Sequence, residues 1–468
     1  MTSHSDNSKF FVSFSSLLNQ CRITNLLRAC GFSKRSGCDP LSMLIALIES
    51  KFLYKNLYLF LQSKRGQALD FSKSSCYRFL DSAKFNWQTL QLKMAAKVTA
   101  FIDSLRSKDC IHCLIADDTM LERPRAKKTE LLARQFNHVS HKHVKGFNNL
   151  SLAWTDGIST IPVLNYLISS SKKELRIMEA QKYTDGRLAS SECRRIAVMH
   201  KPDVLLLMCK RALNAGIKAS YLLVDSWFFS DRLAMKVEKL GLGLISLVKR
   251  NLQFRPSWEN HRVTQNKIIS HLLKNRTFSK HDEYLHCLAS TKGNKLVKLV
   301  FVISKSNHHE WLTIVSTDPE LSAEEIIRQY AKRWGIEVLF RVQKEHLGLS
   351  KECQGHKFNV INAFMIISNL RYLLLELNRR MNDDPRSLGQ MFYLIHEELR
   401  EQPFRDALGS LLSIIDGPAE ELQAAELLKD GCLEQAKALI SARILQWYSG
   451  LTRYVADIMQ SYCCQSRT

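Results

Sequence analysis

Two apolar runs that break off on aspartate constrain this 468-residue chain more than any other feature. Cys110-Ile-His-Cys-Leu-Ile-Ala stops at Asp117-Asp118, and Ala219-Ser-Tyr-Leu-Leu-Val stops at Asp225. A short apolar run without regular polar alternation reads as a strand buried on both faces, in the middle of a sheet with helices on either side. A third run, Gly241-Leu-Gly-Leu-Ile-Ser-Leu-Val, ends on Lys249-Arg250. Between the first two lie GFNNLSLAWTDG and STIPVLNYLISS, two strands joined at Asp156-Gly157, a hairpin signal. Helical spacing returns from about Ser190 to Ala215 and again through SDRLAMKVEKLG.

Strand, hairpin, strand, helix, strand, helix, strand is the ribonuclease-H-like order. The expected class is therefore α/β, a mixed sheet with helices on both faces. Composition divides the rest. Residues 1–105 read as a helical, basic, DNA-binding region, with Lys73–Leu80 resembling a recognition helix. Residues 106–250 are the first part of the core. Residues 251–318 alternate in segments such as YLHCLAST, KLVKLVFVISK and EWLTIVST, and predict a β-rich insertion. Residues 319–380 complete the core, and 381–468 form a helical C-terminal region with an acidic segment.

A net charge of +22 implies a polyanionic partner, and nucleic acid is the commonest. The most apolar stretch, INAFMIISNLRYLLLEL, is interrupted by Asn369 and Arg371, which argues against a membrane span. The first residues lack the layout of a signal peptide, so a soluble, cytoplasmic protein is expected. Thirteen scattered cysteines read as free thiols in a reducing compartment. Cys110 and Cys113 form a lone CxxC, and zinc would need histidines such as His138, His141 and His143 to complete it.

Chemistry concentrates in YAKRWGIEVLFRVQK, where Tyr330, Arg333, Glu337 and Lys344 follow the pattern Tyr-x2-Arg-x3-Glu-x6-Lys. On a single helix these offsets put four side chains within an arc of roughly 60°, with Arg341 on the same stripe. One carboxylate among cations and a phenol suits a metal ligand surrounded by phosphate-holding groups. The alternative is a solvated helix face carrying i,i+4 ion pairs.

The motif, with Trp334 after the Arg and Ile336 before the Glu, resembles the signature of bacterial insertion-sequence transposases of the "insertion sequence four" family, which carry a DDE catalytic triad. The resemblance extends over about residues 110–380. It implies that Glu337 is the third catalytic carboxylate and that Tyr330, Arg333 and Lys344 contact DNA. LIADDTM resembles the family's first-carboxylate motif and selects Asp117, with Asp118 the competing register. VDSWF resembles the second and selects Asp225. In hairpin-forming relatives a Trp placed like Trp311 stacks on a flipped base. Lys249 and Arg250, ending the third strand, are expected to contact phosphate.

The expectation is a DNA transposase that cuts and rejoins double-stranded DNA at the ends of its own element, acting as a homodimer on DNA. Two Mg²⁺ ions, replaceable by Mn²⁺, would be held by Asp117, Asp225 and Glu337. Two alternatives stay open: a transposase-derived DNA-binding protein without catalysis, and a ribonuclease-H-like nuclease without joining activity.

Overall fold

A computed structural model describes residues 14–397, apart from 34–36, 108–109, 138–140, 182–184, 276–283, 304–309, 350 and 354. The chain divides into Met1–Ile395 and His396–Thr468. Nearly all of the second unit, including the acidic segment expected to be helical, lies outside the described residues, as does His138.

Among the described residues seven helices precede the sheet: α1 (Phe14–Gln20), α2 (Ile23–Ala29), α3 (Pro40–Leu53), α4 (Leu57–Gln62), α5 (Lys64–Gln67), α6 (Lys73–Leu80) and α7 (Trp87–Ser104). Asp39, Asn56, Ser72 and Asn86 each cap a helix by accepting a backbone N–H, which explains where α3, α4, α6 and α7 begin. The expected recognition helix is α6. It buries Cys76, Phe79 and Leu80 and leaves Lys73, Ser74 and Arg78 exposed.

The sheet then begins with β1 (Cys113–Glu122), β2 (Ala133–Asn137), β3 (Lys142–Thr155) and β4 (Thr160–Ile168). At the β3–β4 turn, Asp156 accepts the backbone N–H groups of Ile158 and Ser159, and Gly157 takes a φ of +96°. Helices α8 (Ala189–Ala197) and α9 (Lys201–Asn214) lead to β5 (Tyr221–Val224), and α10 (Asp231–Glu238) leads to β6 (Gly243–Leu247). Both β5 and β6 run parallel to β1, whereas β3 is antiparallel to it. The apolar stretches of β1 and β5 are wholly buried because each strand has a neighbour on both sides.

The segment read as a β-rich insertion holds β7 (Gln253–Pro256), β8 (Val263–Thr264), α11 (Gln265–Lys274), β9 (Tyr284–Ser290), β10 (Leu296–Ile303) and β11 (Trp311–Ser316). Its strands extend the same sheet, because β11 pairs with β6. The order is β2-β3-β1-β5-β6-β11-β10-β9-β7-β8, with β4 on β3, eleven strands in all among the described residues. Phe254, Ile268, Leu299 and Phe301 build a local core under this half.

Three helices complete the described fold: α12 (Ala323–Ala331), α13 (Trp334–Glu345) and α14 (Phe358–Met381). Helix α14 is long and apolar enough to cross a membrane, yet its apolar window is entirely buried inside the protein. Its polar interruptions find partners there, as buried polar groups require. Asn362 accepts from Gln88 at 2.5 Å, Asn369 donates to Gln91 at 3.3 Å, and Arg371 donates to Glu352 and to the carbonyls of Leu47, Ile48 and Leu347.

The Tyr-Arg-Glu-Lys stretch departs from the single helix expected. Ser322 caps α12 by accepting the Glu325 N–H at 3.1 Å, but Lys332 and Arg333 form a turn between α12 and α13. Across that turn the backbone bonds shorten to i→i−3, with Arg333 N–H to Tyr330 O, Gly335 to Lys332 and Ile336 to Arg333. Such bonds are those of a single 3-10-like turn, with Lys332 and Arg333 still at helical dihedrals. Lys332 fastens the turn to the segment leading into β1 by donating to the Ile111 carbonyl at 2.7 Å.

Candidate active site

Side chains alternate across a strand, so consecutive residues of β1 point to opposite faces. Asp117 faces the start of α13, where its Oδ2 accepts from Arg333 Nη1 at 3.3 Å. Asp118 faces α9 and pairs with Lys201 at 2.9 Å. Thr119, on the same face as Asp117, is buried. Asp225 follows the last residue of β5. The parallel β1–β5 register ends with Ala116 opposite Val224, the residues immediately before Asp117 and Asp225, so Asp225 leaves β5 level with Asp117 on β1. A tight turn holds Asp225, with its carbonyl accepting from the Phe228 N–H at 3.0 Å and from Ser246 Oγ at 3.3 Å.

Glu337 lies in the first turn of α13. Arg333 Nη2 donates to Glu337 Oε1 at 2.5 Å, so one guanidinium joins the β1 carboxylate to the α13 carboxylate. The close seating of α13 depends on Gly335. A Cβ there would stand 2.2 Å from Thr160 Oγ1 on β4.

The electrostatics follow from this crowding. Burial pushes the Asp117 carboxyl up to about 7; the carboxylates of Asp118 and Asp225 add to the rise, while the Asp118 N–H and Arg333 oppose it. Burial also pushes the Tyr330 phenol up to about 12, with Asp225 adding and Arg333 opposing. The Tyr330 ring lies 5.9 Å from the Arg333 guanidinium. Burial, more than the charge of its neighbours, therefore sets the protonation of Asp117.

The other expected positions spread outward. Burial holds the Lys344 ammonium below the usual lysine range, with Glu122 at the end of β1 opposing. Arg341 is exposed, on the outer side of α13. Trp311 opens β11 and packs, part-buried, against the Phe254–Phe301 core. Because β11 is antiparallel to β6, that end of β11 lies at the edge of the sheet where β6 finishes. Arg250, just past β6, is exposed and pairs with Glu310 at 2.9 Å. Two neighbours escaped the sequence reading. Lys201 is signalled only by the helix start His200-Lys201-Pro202, and Trp227 stood within VDSWF without a role.

Among the described residues no three His, Cys, Asp or Glu side chains converge as a ready-made ligand set, and Cys110 and Cys113 therefore frame no zinc site there. Arg333 lies between Asp117 and Glu337 instead. The donor set nevertheless fits a hard divalent cation, since it is all carboxylate oxygen with no sulfur or imidazole.

A family model described as "DDE superfamily endonuclease" matches residues 63–271, and one described as "Transposase DDE domain" matches residues 197–374. No curated protein matches the chain. The first range includes Asp117 and Asp225, and the second includes Asp225 and Glu337. DDE endonucleases generally use divalent metals and act on DNA, in keeping with the carboxylates and the basic charge. The mixed sheet flanked by helices is consistent with a ribonuclease-H-like transposase fold, and together with the two matches it supports a DDE-superfamily transposase.

Proposed function

We propose that this protein is a transposase of the "insertion sequence four" type, cleaving and rejoining DNA at the ends of its own element. One observation carries the reading: Arg333 is bonded to Asp117 and Glu337 while Asp225 leaves the adjacent strand level with Asp117. Residues remote in sequence are brought to one edge of the sheet, as phosphodiester chemistry requires. Asp117 is favoured over Asp118 because only Asp117 shares a face with Arg333.

Asp117, Asp225 and Glu337 would hold Mg²⁺ or Mn²⁺. When bound, two such ions polarise the attacking oxygen and stabilise the leaving one. The chain's own residues orient the DNA. Arg333 reaches toward a phosphate with the fork that now holds the carboxylates, and Lys344 supplies a second cation from the same helix. Tyr330 stays a neutral phenol at working pH and walls the guanidinium. Arg250 and Arg341 lie farther out, as backbone contacts. Trp311 stands at the active edge of the sheet, consistent with base stacking. Residues 1–105 would bind the element ends through α6, residues 251–318 would form the insertion that flanks the site, and two copies would pair on DNA.

The test is a plasmid assay with the sequences that flank the gene as substrate, in Mg²⁺. Excised fragments with strand-transfer products support the reading. Nicking without joining would indicate a nuclease, and site-specific binding without nicking would indicate a regulator.

A further inference from the structure

Outside the carboxylates, α9 and α10 enclose a cavity of about 410 Å³, a size typical of small-ligand sites. Trp227 forms part of its wall, and His200, Arg232, Lys236 and Asp203 set its charge. Asp203 is the single carboxylate among these four, and it pairs with Lys236 at 3.0 Å. With Asp203 and Lys236 paired, Arg232 leaves the cavity with a cationic surplus.

Trp227 is 44% exposed only two residues past Asp225. Its neighbour Phe228 is 3% exposed, fills the core and meets the indole edge-on at 4.8 Å. Lys201 lies 5.1 Å from the indole centre while its ammonium pairs with Asp118. The indole is thus held at the rim between the carboxylate edge and the cavity, where core packing gives it no role. An aromatic platform beside cations is the arrangement that takes unpaired nucleotides, since every base offers a π-face and every nucleotide carries a phosphate.

We propose that this cavity is a binding site for one unpaired nucleotide, its base stacked on Trp227 and its phosphate held by Arg232. The proposal rests on the DNA-processing reading above and adds a second aromatic contact, separate from Trp311. A strand opened beside Asp225 would be held here and kept from re-pairing. The stack carries no hydrogen-bond readout, so the preference is for single strands over duplex and not for sequence.

The experiment uses the full chain in EDTA, so that binding is read without cleavage. The probes are a single-stranded oligonucleotide containing 2-aminopurine and a fluorescein-labelled duplex of the same length. Wild type should quench the 2-aminopurine. W227A should abolish quenching and weaken single-strand binding about tenfold, with duplex affinity unchanged. W227F should keep most of both, and R232A should weaken single-strand binding with a shallower salt dependence. Equal single-strand affinity and quenching in wild type and W227A would overturn the site while leaving the DNA reading intact. Equal weakening of single-strand and duplex binding would overturn it as well. Failure of wild type to bind either probe would overturn both readings.

Discussion

Asp117 and Asp118 are consecutive in β1, yet one carboxylate meets Arg333 and the other meets Lys201 on the opposite face of the sheet. The two side chains should therefore separate under mutation. Asp117→Asn is expected to abolish metal-dependent DNA cleavage, by at least about a thousandfold in rate. Asp118→Asn should retain cleavage within about tenfold, since it loses a part-exposed ion pair of modest energy. Single-turnover cleavage by the two variants checks this, and equal loss in both would contradict the facial assignment.

Asp117 also predicts an unusual pH dependence of stability. Its folded-state carboxyl is pushed up to about 7, above its ordinary value near 3.8. The folded state thus binds the proton more tightly than the unfolded chain. The stability this proton contributes is complete below about pH 3.8, and it is lost as pH rises toward 7. Asp117→Asn should accordingly stabilise the metal-free protein by up to about 4 kcal/mol at pH 8 and hardly at all at pH 4. Thermal unfolding in EDTA at the two pH values measures it, and a variant less stable than wild type at pH 8 would count against the buried-charge argument.

Gly335 tests how α13 is seated. An added Cβ would meet Thr160 Oγ1 at 2.2 Å, so Gly335→Ala should cost about 1–3 kcal/mol and displace Arg333 and Glu337 from Asp117. Adding Thr160→Ala removes the obstructing oxygen and should recover most of the loss. A double-mutant cycle from denaturant unfolding reads the coupling directly, and strictly additive effects would show that the contact does not set the helix position.

Much of this architecture was legible in the chain. The apolar run before Asp225 is strand β5 and the Asp156-Gly157 signal is the β3–β4 turn, whereas the run before Asp117 only opens β1, which continues through Asp117 and Asp118 to Glu122 because β3 pairs with it along that length. Uninterrupted apolar runs have few other homes, and turn chemistry is local. Strand β2 escaped notice because ARQFN is short and half polar, as an edge strand can be. Helix α11 falls inside the segment expected to be β-rich, where its cap Thr264 and its buried Ile268 and Ile269 are local helix signals outweighed by the alternating strands around it. The break between α12 and α13 has no breaker residue to announce it, since Lys332 and Arg333 keep helical dihedrals and only the hydrogen-bond pattern changes. The candidate carboxylates could be named from their strands and helix. That Arg333 bridges two of them depends on long-range packing, which no local pattern encodes.

The Arg371–Glu352 pair predicts a different kind of loss. Arg371 is fully buried in α14, and besides Glu352 it serves three backbone carbonyls. Glu352→Ala would leave a buried guanidinium without its counter-charge and should cost about 3–5 kcal/mol. Denaturant unfolding checks the value, and a cost below about 1 kcal/mol would mean that water reaches the pair.

The central claim is that Glu337 completes a catalytic carboxylate set with Asp117 and Asp225. Its most direct test compares wild type with Glu337→Gln on DNA carrying the element ends, in Mg²⁺ and in EDTA, reading cleavage and binding on the same samples. The account predicts cleavage by wild type in Mg²⁺ alone, none by the variant, and end binding within about threefold for both proteins. Cleavage by Glu337→Gln at the wild-type rate would contradict it.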